Sequence, residues 1–210
     1  ATKFTEVGYV GRDVDSIIND CKEGAERIRD IVQNLRMFSR LDEAEFKKTD
    51  IHEGIRSTIR LLSRYFVGGN ITLEEDYGEL PMVDAYSGQL NQLWMNLLVN
   101  AAQALSDEGG RVTICTRQVG ETVVVSVSDT GTGIEQEHIS KIFEPFFTTK
   151  SVGDGTGLGL SISFGIVQRH SGTITVKSKL GEGTTFIVTL PENANAQSEQ
   201  VNVLSNLDPH

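Results

Sequence analysis

Residues 87–105, SGQLNQLWMNLLVNAAQAL, have a helical composition and almost no side fit for water. Ser87 supplies an N-cap, and Gly109-Gly110 lie beyond the end. At about 100° per residue, Leu90, Leu93, Trp94, Leu97, Leu98, Ala101 and Leu105 fill one broad arc. Met95, Val99 and Ala102 make the far side apolar as well. A helix apolar nearly all round has to be enclosed by other elements. Only Gln92, Asn96, Asn100 and Gln103 break the pattern, in a strip under a quarter-turn wide. Buried amides must find partners. Either these cap a neighbouring loop or face water, or the stacked Asn96–Asn100 pair presents two carbonyl oxygens to one hard cation. Mg²⁺ accepts such ligands and commonly keeps phosphates and waters in its shell.

The enclosing layer is legible in short strand patterns. ITLEEDY (71–77), PMVDAY (81–86), RVTICTRQV (111–119) and TVVVSVS (122–128) come first, the last two joined by Gly120-Glu121, a hairpin signal. Helices are expected at about 135–143 and 157–170. TITVKSK (173–179) and TTFIVTL (184–190) form a second hairpin around Gly181-Glu182-Gly183. This order predicts a largely antiparallel sheet with helices on one face, an α+β two-layer sandwich. With 210 residues, 38% of them hydrophobic, the chain holds one well-buried domain and an appendage.

The appendage is N-terminal. Val14, Ile18, Cys21, Ala25, Ile28, Val32 and Leu35 alternate in steps of four and three, a heptad-like stripe over three heptads. A helix of about 40 Å cannot bury that stripe against itself, so a bundle or coiled-coil helix with partner helices is expected over 13–45, after a leader at 1–12. LDEAEFKK (41–48) reads as a polar separator. Asp50 with Glu53 then forms a capping-box pattern ahead of Ile51, Ile55, Ile59 and Leu62. From Glu192 to His210 the chain is rich in Asn, Gln, Ser and Glu and reads as a disordered tail.

A net charge of −10 argues against nucleic acid or an anionic membrane surface as the main partner. A polyphosphate would then need a metal ion and backbone N–H groups. Cys21 and Cys115 are expected to be reduced core thiols of an intracellular chain. No apolar run approaches the ~20 residues of a membrane helix, and no signal peptide opens the chain. The first residue reads as a cut in a longer protein, leaving room for an upstream sensor or membrane anchor.

Two glycine-bearing stretches carry the chemistry. SVSDTGTGI (126–134) runs an alternating strand into Asp129-Thr130-Gly131-Thr132-Gly133. Asp129 is either a turn former or a carboxylate held by the sheet to accept from an amino group, with Gly131 and Gly133 admitting a flat ligand. GDGTGLGLS (153–161) lacks the Walker lysine and spacing, is not G-x-G-x-x-G, and follows no strand. It feeds a helix N-terminus, where free N–H groups and the dipole favour an anion. Leu158, Leu160 and Ile162 are too apolar for a bare linker, so a phosphate loop is the stronger reading.

NLLVNA (96–101), DTGTG (129–133), FEPFF (143–147) and GTGLGL (155–160) stand in that order. As a set they resemble the ATP-binding domain of sensor histidine kinases, in the GHKL superfamily shared with gyrase-type topoisomerases and heat-shock chaperones. The likeness spans residues 50–191, with GEGTTFIVTLP (181–191) as its closing strand, and implies a catalytic domain over 46–191. It implies that Asn100 coordinates a Mg²⁺ bridging the ATP phosphates, supported by Asn96. Asp129 would accept from the adenine amine, with Gly131 and Gly133 lining the base pocket and Thr184 touching it through water. Phe143 and Phe147 would belong to a lid over the nucleotide, Lys150 being its cation. Gly155, Gly157, Leu158 and Gly159 would hold the phosphates. ATP and Mg²⁺ are the implied cofactors.

Many family members carry Lys or Arg three residues after the metal asparagine, where this chain has Gln103. The phosphoacceptor histidine of the family sits on a helix upstream of EGAERIRDIVQNLRMFSR (23–40), which resembles the second helix of the dimerisation hairpin; the first is expected to be missing. His52-Glu53 lies in a capping turn without a following proline, and His52 is expected at the surface. The resemblance implies a protein-histidine kinase that relays phosphate to a response-regulator receiver domain. It also implies a homodimer through the hairpin in the full protein, no membrane contact by this segment and a cytoplasmic setting. An ATP-hydrolysing clamp of the chaperone type and a non-catalytic nucleotide-binding scaffold are the alternatives. The clamp needs a glutamate base where this chain has Asn96.

Overall fold

The computed structural model describes residues 45–66, 70–105, 109–150 and 155–193, and helical positions at 14, 16–18, 21 and 24. Most of the leader, the heptad stripe and the tail beyond 193 therefore lie outside the described residues. The elements run β1 (Phe46–Thr49), α1 (Ile51–Leu61), α2 (Ser63–Phe66), β2 (Ile71–Tyr77), β3 (Val83–Tyr86) and α3 (Ser87–Leu105). They continue as β4 (Gly110–Val119), β5 (Thr122–Asp129), α4 (Gly159–Arg169), β6 (Thr173–Lys179) and β7 (Gly183–Pro191).

Strands β4, β5, β7 and β6 pair antiparallel, and β2 joins the edge parallel to β4, giving the order β2-β4-β5-β7-β6. The alternation predicted for β5 holds strictly: Val123, Val125 and Val127 point into the core, Val124 and Ser126 toward the other face. Helix α3 lies on that core. Leu90, Leu93, Trp94, Leu97, Leu98, Ala101 and Leu105 are buried with Val112, Ile114, Val188 and Leu190 of the sheet. Each fully enclosed leucine there contributes about 1.5–3 kcal/mol. Helices α1 and α4 flank α3, completing the two-layer α+β sandwich. The Asp50 carboxylate caps α1, accepting from the His52 and Glu53 N–H groups at 2.8 and 3.2 Å.

Several expectations change. Residues 46–49, inside the polar separator, form β1, which pairs with β3 in a separate two-stranded sheet. Phe46 leans on Tyr86 with ring centroids 4.9 Å apart, but backbone pairing defines the strand. Residues 135–143 are not a helix. His138 N–H donates to Glu135, Lys141 to His138 and Glu144 to Lys141, a succession of tight turns. Ile142 is buried beneath them, and Pro145 forbids continuation. Neither cysteine is in the core: both are free, Cys21 is exposed, and Cys115 is half-buried on the sheet face away from the helices.

The segments bordering the domain converge on β3. Asp84 N–H donates to the Glu192 carbonyl at 3.0 Å, and Lys48 Nζ donates to Asn193 Oδ1 at 2.8 Å. Residues 192 and 193, assigned to the tail by sequence, are thus held. Beside them Tyr86 N–H donates to His170 Nε2 at 3.0 Å, while His170 Nδ1–H donates to the Ile166 carbonyl at 2.7 Å. Buried His170 therefore joins β3 to the end of α4, neutral with both nitrogens used.

Candidate functional site

Strand β5 ends on Asp129, opposite Thr184 in register on β7. The carboxylate is 8% exposed, and one oxygen, Oδ1, accepts from both Gly131 N–H at 2.9 Å and Thr184 N–H at 3.2 Å. Burial pushes its pKa up; those two N–H groups pull the other way without cancelling the shift. Oδ2 carries neither bond. The DTGTG turn is stitched to its surroundings: Thr132 N–H donates to the Ala104 carbonyl at 3.1 Å, and Ile134 N–H to Ser178 Oγ at 2.8 Å. A Cβ on Gly131 would stand 2.5 Å from the Ala104 carbonyl oxygen. That glycine is needed first by protein packing, bringing the turn against the last turn of α3. The Thr184 hydroxyl meets Ser178 Oγ at 2.9 Å.

The amide strip of α3 divides by role. Asn96 Oδ1 accepts from Gln92 Nε2 at 2.8 Å, and Asn96 Nδ2 donates to the Gly159 carbonyl at 2.9 Å and to Ser163 Oγ at 3.3 Å. It ties α3 to the first turn of α4, the capping alternative raised by the sequence. The half-buried Asn100 carboxamide makes no hydrogen bond among the described residues. Gln103 Oε1 accepts from Lys150 Nζ.

Helix α4 starts at Gly159 with Leu158 at its N-cap, no side-chain cap and no acidic residue in its first turn. Its leading N–H groups and dipole are left for an anion. The loop ahead of it is pinched: Phe146 N–H donates to the Gly157 carbonyl at 2.9 Å. Gly157 has φ 65°, and a Cβ there would stand 2.4 Å from the Phe146 carbonyl carbon. Phe146 also adopts a left-handed φ of 68° while 72% exposed, strain that sequence inspection passes over. Phe143 and Phe147 pack on the core and on Phe164 and His138, with centroids 5.6 and 5.5 Å apart, anchoring this loop. Gly155 backs onto the Thr148 hydroxyl.

Gathered around α3 are thus a sheet-held carboxylate, an uncommitted carboxamide, an uncapped helix start and a lysine. A carboxylate accepts from amino groups, and an uncapped helix start favours an anion. Residues 85–194 match the family described as "Histidine kinase-, DNA gyrase B-, and HSP90-like ATPase". The chain belongs to this ATPase family. Sensor kinase CckA of Brucella abortus (strain 2308) is 40% identical over 190 residues, covering 83% of this chain and 20% of that protein. The nucleotide-free catalytic domain of histidine kinase ThkA superposes with a TM-score of 0.65 at 33% identity, covering 72% of this chain and 98% of the domain. ThkA in complex with response regulator protein TrrA superposes at 0.69 with 29% identity, over 82% of this chain and 49% of that one. The chain spans less than half the length of curated relatives it matches. Within the family, this ATPase domain is of the histidine-kinase type and uses ATP.

His52, the one histidine resembling an acceptor dipeptide, is more enclosed than expected. Its Nε2 lies 2.8 Å from Thr116 Oγ1, and its ring stacks on Tyr77 at 4.5 Å. The contacts of Thr184 and Lys150 were invisible in sequence, because their partners lie 55 and 47 residues away.

Proposed function

We propose that this chain is the ATP-binding catalytic region of a sensor histidine kinase. It presents the γ-phosphoryl group to a histidine on a separate helix for relay to a response-regulator receiver domain. The observation carrying this reading is the uncapped start of α4, tied by Asn96 to the helix that bears the open Asn100 carboxamide. Adenine sits at Asp129, its amine donating to Oδ2, with Gly131, Gly133 and Thr184 around it. The phosphates sit against Gly155, Gly157, Leu158 and Gly159, under Phe143, Phe147 and Lys150. Asn100 offers one hard oxygen that makes no hydrogen bond among the described residues, so it would suit a Mg²⁺ that also takes phosphate oxygens and waters. That ion supplies charge neutralisation of the triphosphate. The acceptor imidazole nitrogen attacks the γ-phosphorus, the bond to the β–γ bridging oxygen breaks, and ADP leaves.

Asn96 bears on the hydrolytic alternative. A carboxamide cannot accept the proton of an attacking water, and this one is occupied by Gln92 and Gly159. ThkA binding TrrA supports a receiver partner. The heptad stripe supports a homodimer of the full protein. No helix among the described residues is long and apolar enough to cross a membrane. Calorimetry with excess Mg²⁺ is expected to show ATP binding of about micromolar strength; no heat of binding would refute the proposal. γ-Labelled ATP is expected to leave no acid-labile label on this chain. Label that disappears in His52→Gln would make His52 an acceptor. Adding the acceptor helix and finding no transfer would favour a scaffold.

A further inference from the structure

Lys150 is fixed at three levels. Its backbone N–H donates to Thr148 Oγ1 at 3.2 Å. Its stem lies against Gly155, where a Cβ would stand 3.3 Å from Lys150 Cδ. Its ammonium donates to Gln103 Oε1 on α3. Lys150 and Gln103 are both exposed, and a hydrated ammonium gains little stability from a neutral carbonyl. What the contact supplies is place. Gln103 follows Asn100 by three residues, so the two share a face of α3. The next residue, Ala104, receives the DTGTG turn. The ammonium thus stands at the level of α3 between the open carboxamide and the turn that holds Asp129.

The residue type at 103 matters. A glutamate would pair with the lysine and cancel its charge, and a lysine would repel it. A carboxamide oxygen orients the ammonium without adding a negative charge beside it. In the proposed site the first turn of α4 and the Asn100 oxygen would take the inner phosphates, leaving the outermost one, which distinguishes ATP from ADP, for the Lys150 ammonium.

We infer that Gln103 is a positioning residue that holds Lys150 for the terminal phosphate, so that the pair makes the site prefer triphosphate over diphosphate. This rests on the proposed nucleotide site and adds its selectivity. The test is calorimetric titration of the chain with Mg²⁺ plus either ADP or a non-hydrolysable ATP analogue, with melting curves checking that each variant folds. Lys150→Ala is expected to weaken analogue binding about tenfold and ADP binding less than about twofold. Gln103→Ala should cost the analogue about threefold, and the double variant no more than Lys150→Ala alone. Gln103→Glu should resemble Lys150→Ala. Gln103→Lys placed in Lys150→Ala should restore the preference. Additive losses, or equal losses for the two nucleotides, overturn the inference alone. A wild-type chain that binds neither nucleotide overturns the functional proposal beneath it.

Discussion

Asn96 Nδ2 donates to the Gly159 carbonyl at 2.9 Å, joining the central buried helix to the glycine that opens α4. Asn100, one turn along, makes no such bond among the described residues. Truncating these neighbours should therefore separate stability from binding. Asn96→Ala leaves the Gly159 and Ser163 partners short and should cost about 1–2 kcal/mol, lowering the melting temperature by a few degrees. Asn100→Ala should leave melting unchanged and remove the Mg²⁺-dependent part of ATP affinity. Thermal melts beside titrations with and without EDTA check both.

Asp129→Asn should strengthen the empty fold while weakening adenine. Burial raises this carboxyl's pKa, so its stabilising contribution is full below the unfolded value near 3.9 and is lost as pH rises through the folded value. At neutral pH the ionised group is a cost that the amide removes. Gly131 and Thr184 N–H groups hold the remaining oxygen, which turns the new NH₂ toward the adenine amine, donor against donor. ATP binding should fall about ten- to a hundredfold while the urea midpoint holds or rises.

His170 should make the domain acid-sensitive. Burial lowers its pKa, as does neighbouring Arg169, against the bond to Ile166. A histidine kept neutral by the fold contributes stability above its unfolded pKa of about 6.5, lost as pH falls toward the folded value. Protonation also sets a second donor against the Tyr86 N–H. Urea midpoints should drop between about pH 7 and 5. His170→Gln should flatten most of that slope, with a remainder from His52, whose pKa is also lowered by burial.

Gly157→Ala should disable the lid and spare the core. A methyl there is strained at φ 65° and strikes the Phe146 carbonyl. Nucleotide affinity should fall at least about tenfold, with global unfolding shifted by less than about 1 kcal/mol. Hydrogen exchange should quicken at the Phe146 amide and remain slow in β5.

The helix of 87–105 was legible because residues apolar nearly all round leave no alternative placement, and the structure forms it over Ser87–Leu105. The strands β4 and β5 were legible for a related reason, since period-two alternation survives burial of one face. β1 was not, because Phe46 is its only apolar residue and its order comes from pairing with a distant strand, Lys47 against Ala85 among them. The turns at 135–143 were misread as helix because their side chains suit either; Pro145 and the burial of Ile142 decide it. In the site, Asp129, Asn100 and the glycines announce themselves locally. Gly131, the nearer donor to Asp129, sits in the same turn, but Thr184 and the amide that meets Lys150 belong to remote segments that single-sequence periodicity does not connect.

The pairing of β3 with both Phe46–Thr49 and Glu192 has an architectural corollary. Polypeptide arrives and departs across one strand, so whatever is spliced upstream and downstream of the nucleotide fold meets at a shared doorway. Pulling on either side loads the same seam, and His170 conveys that load straight to the far tip of the helix whose uncapped beginning lies in the candidate site.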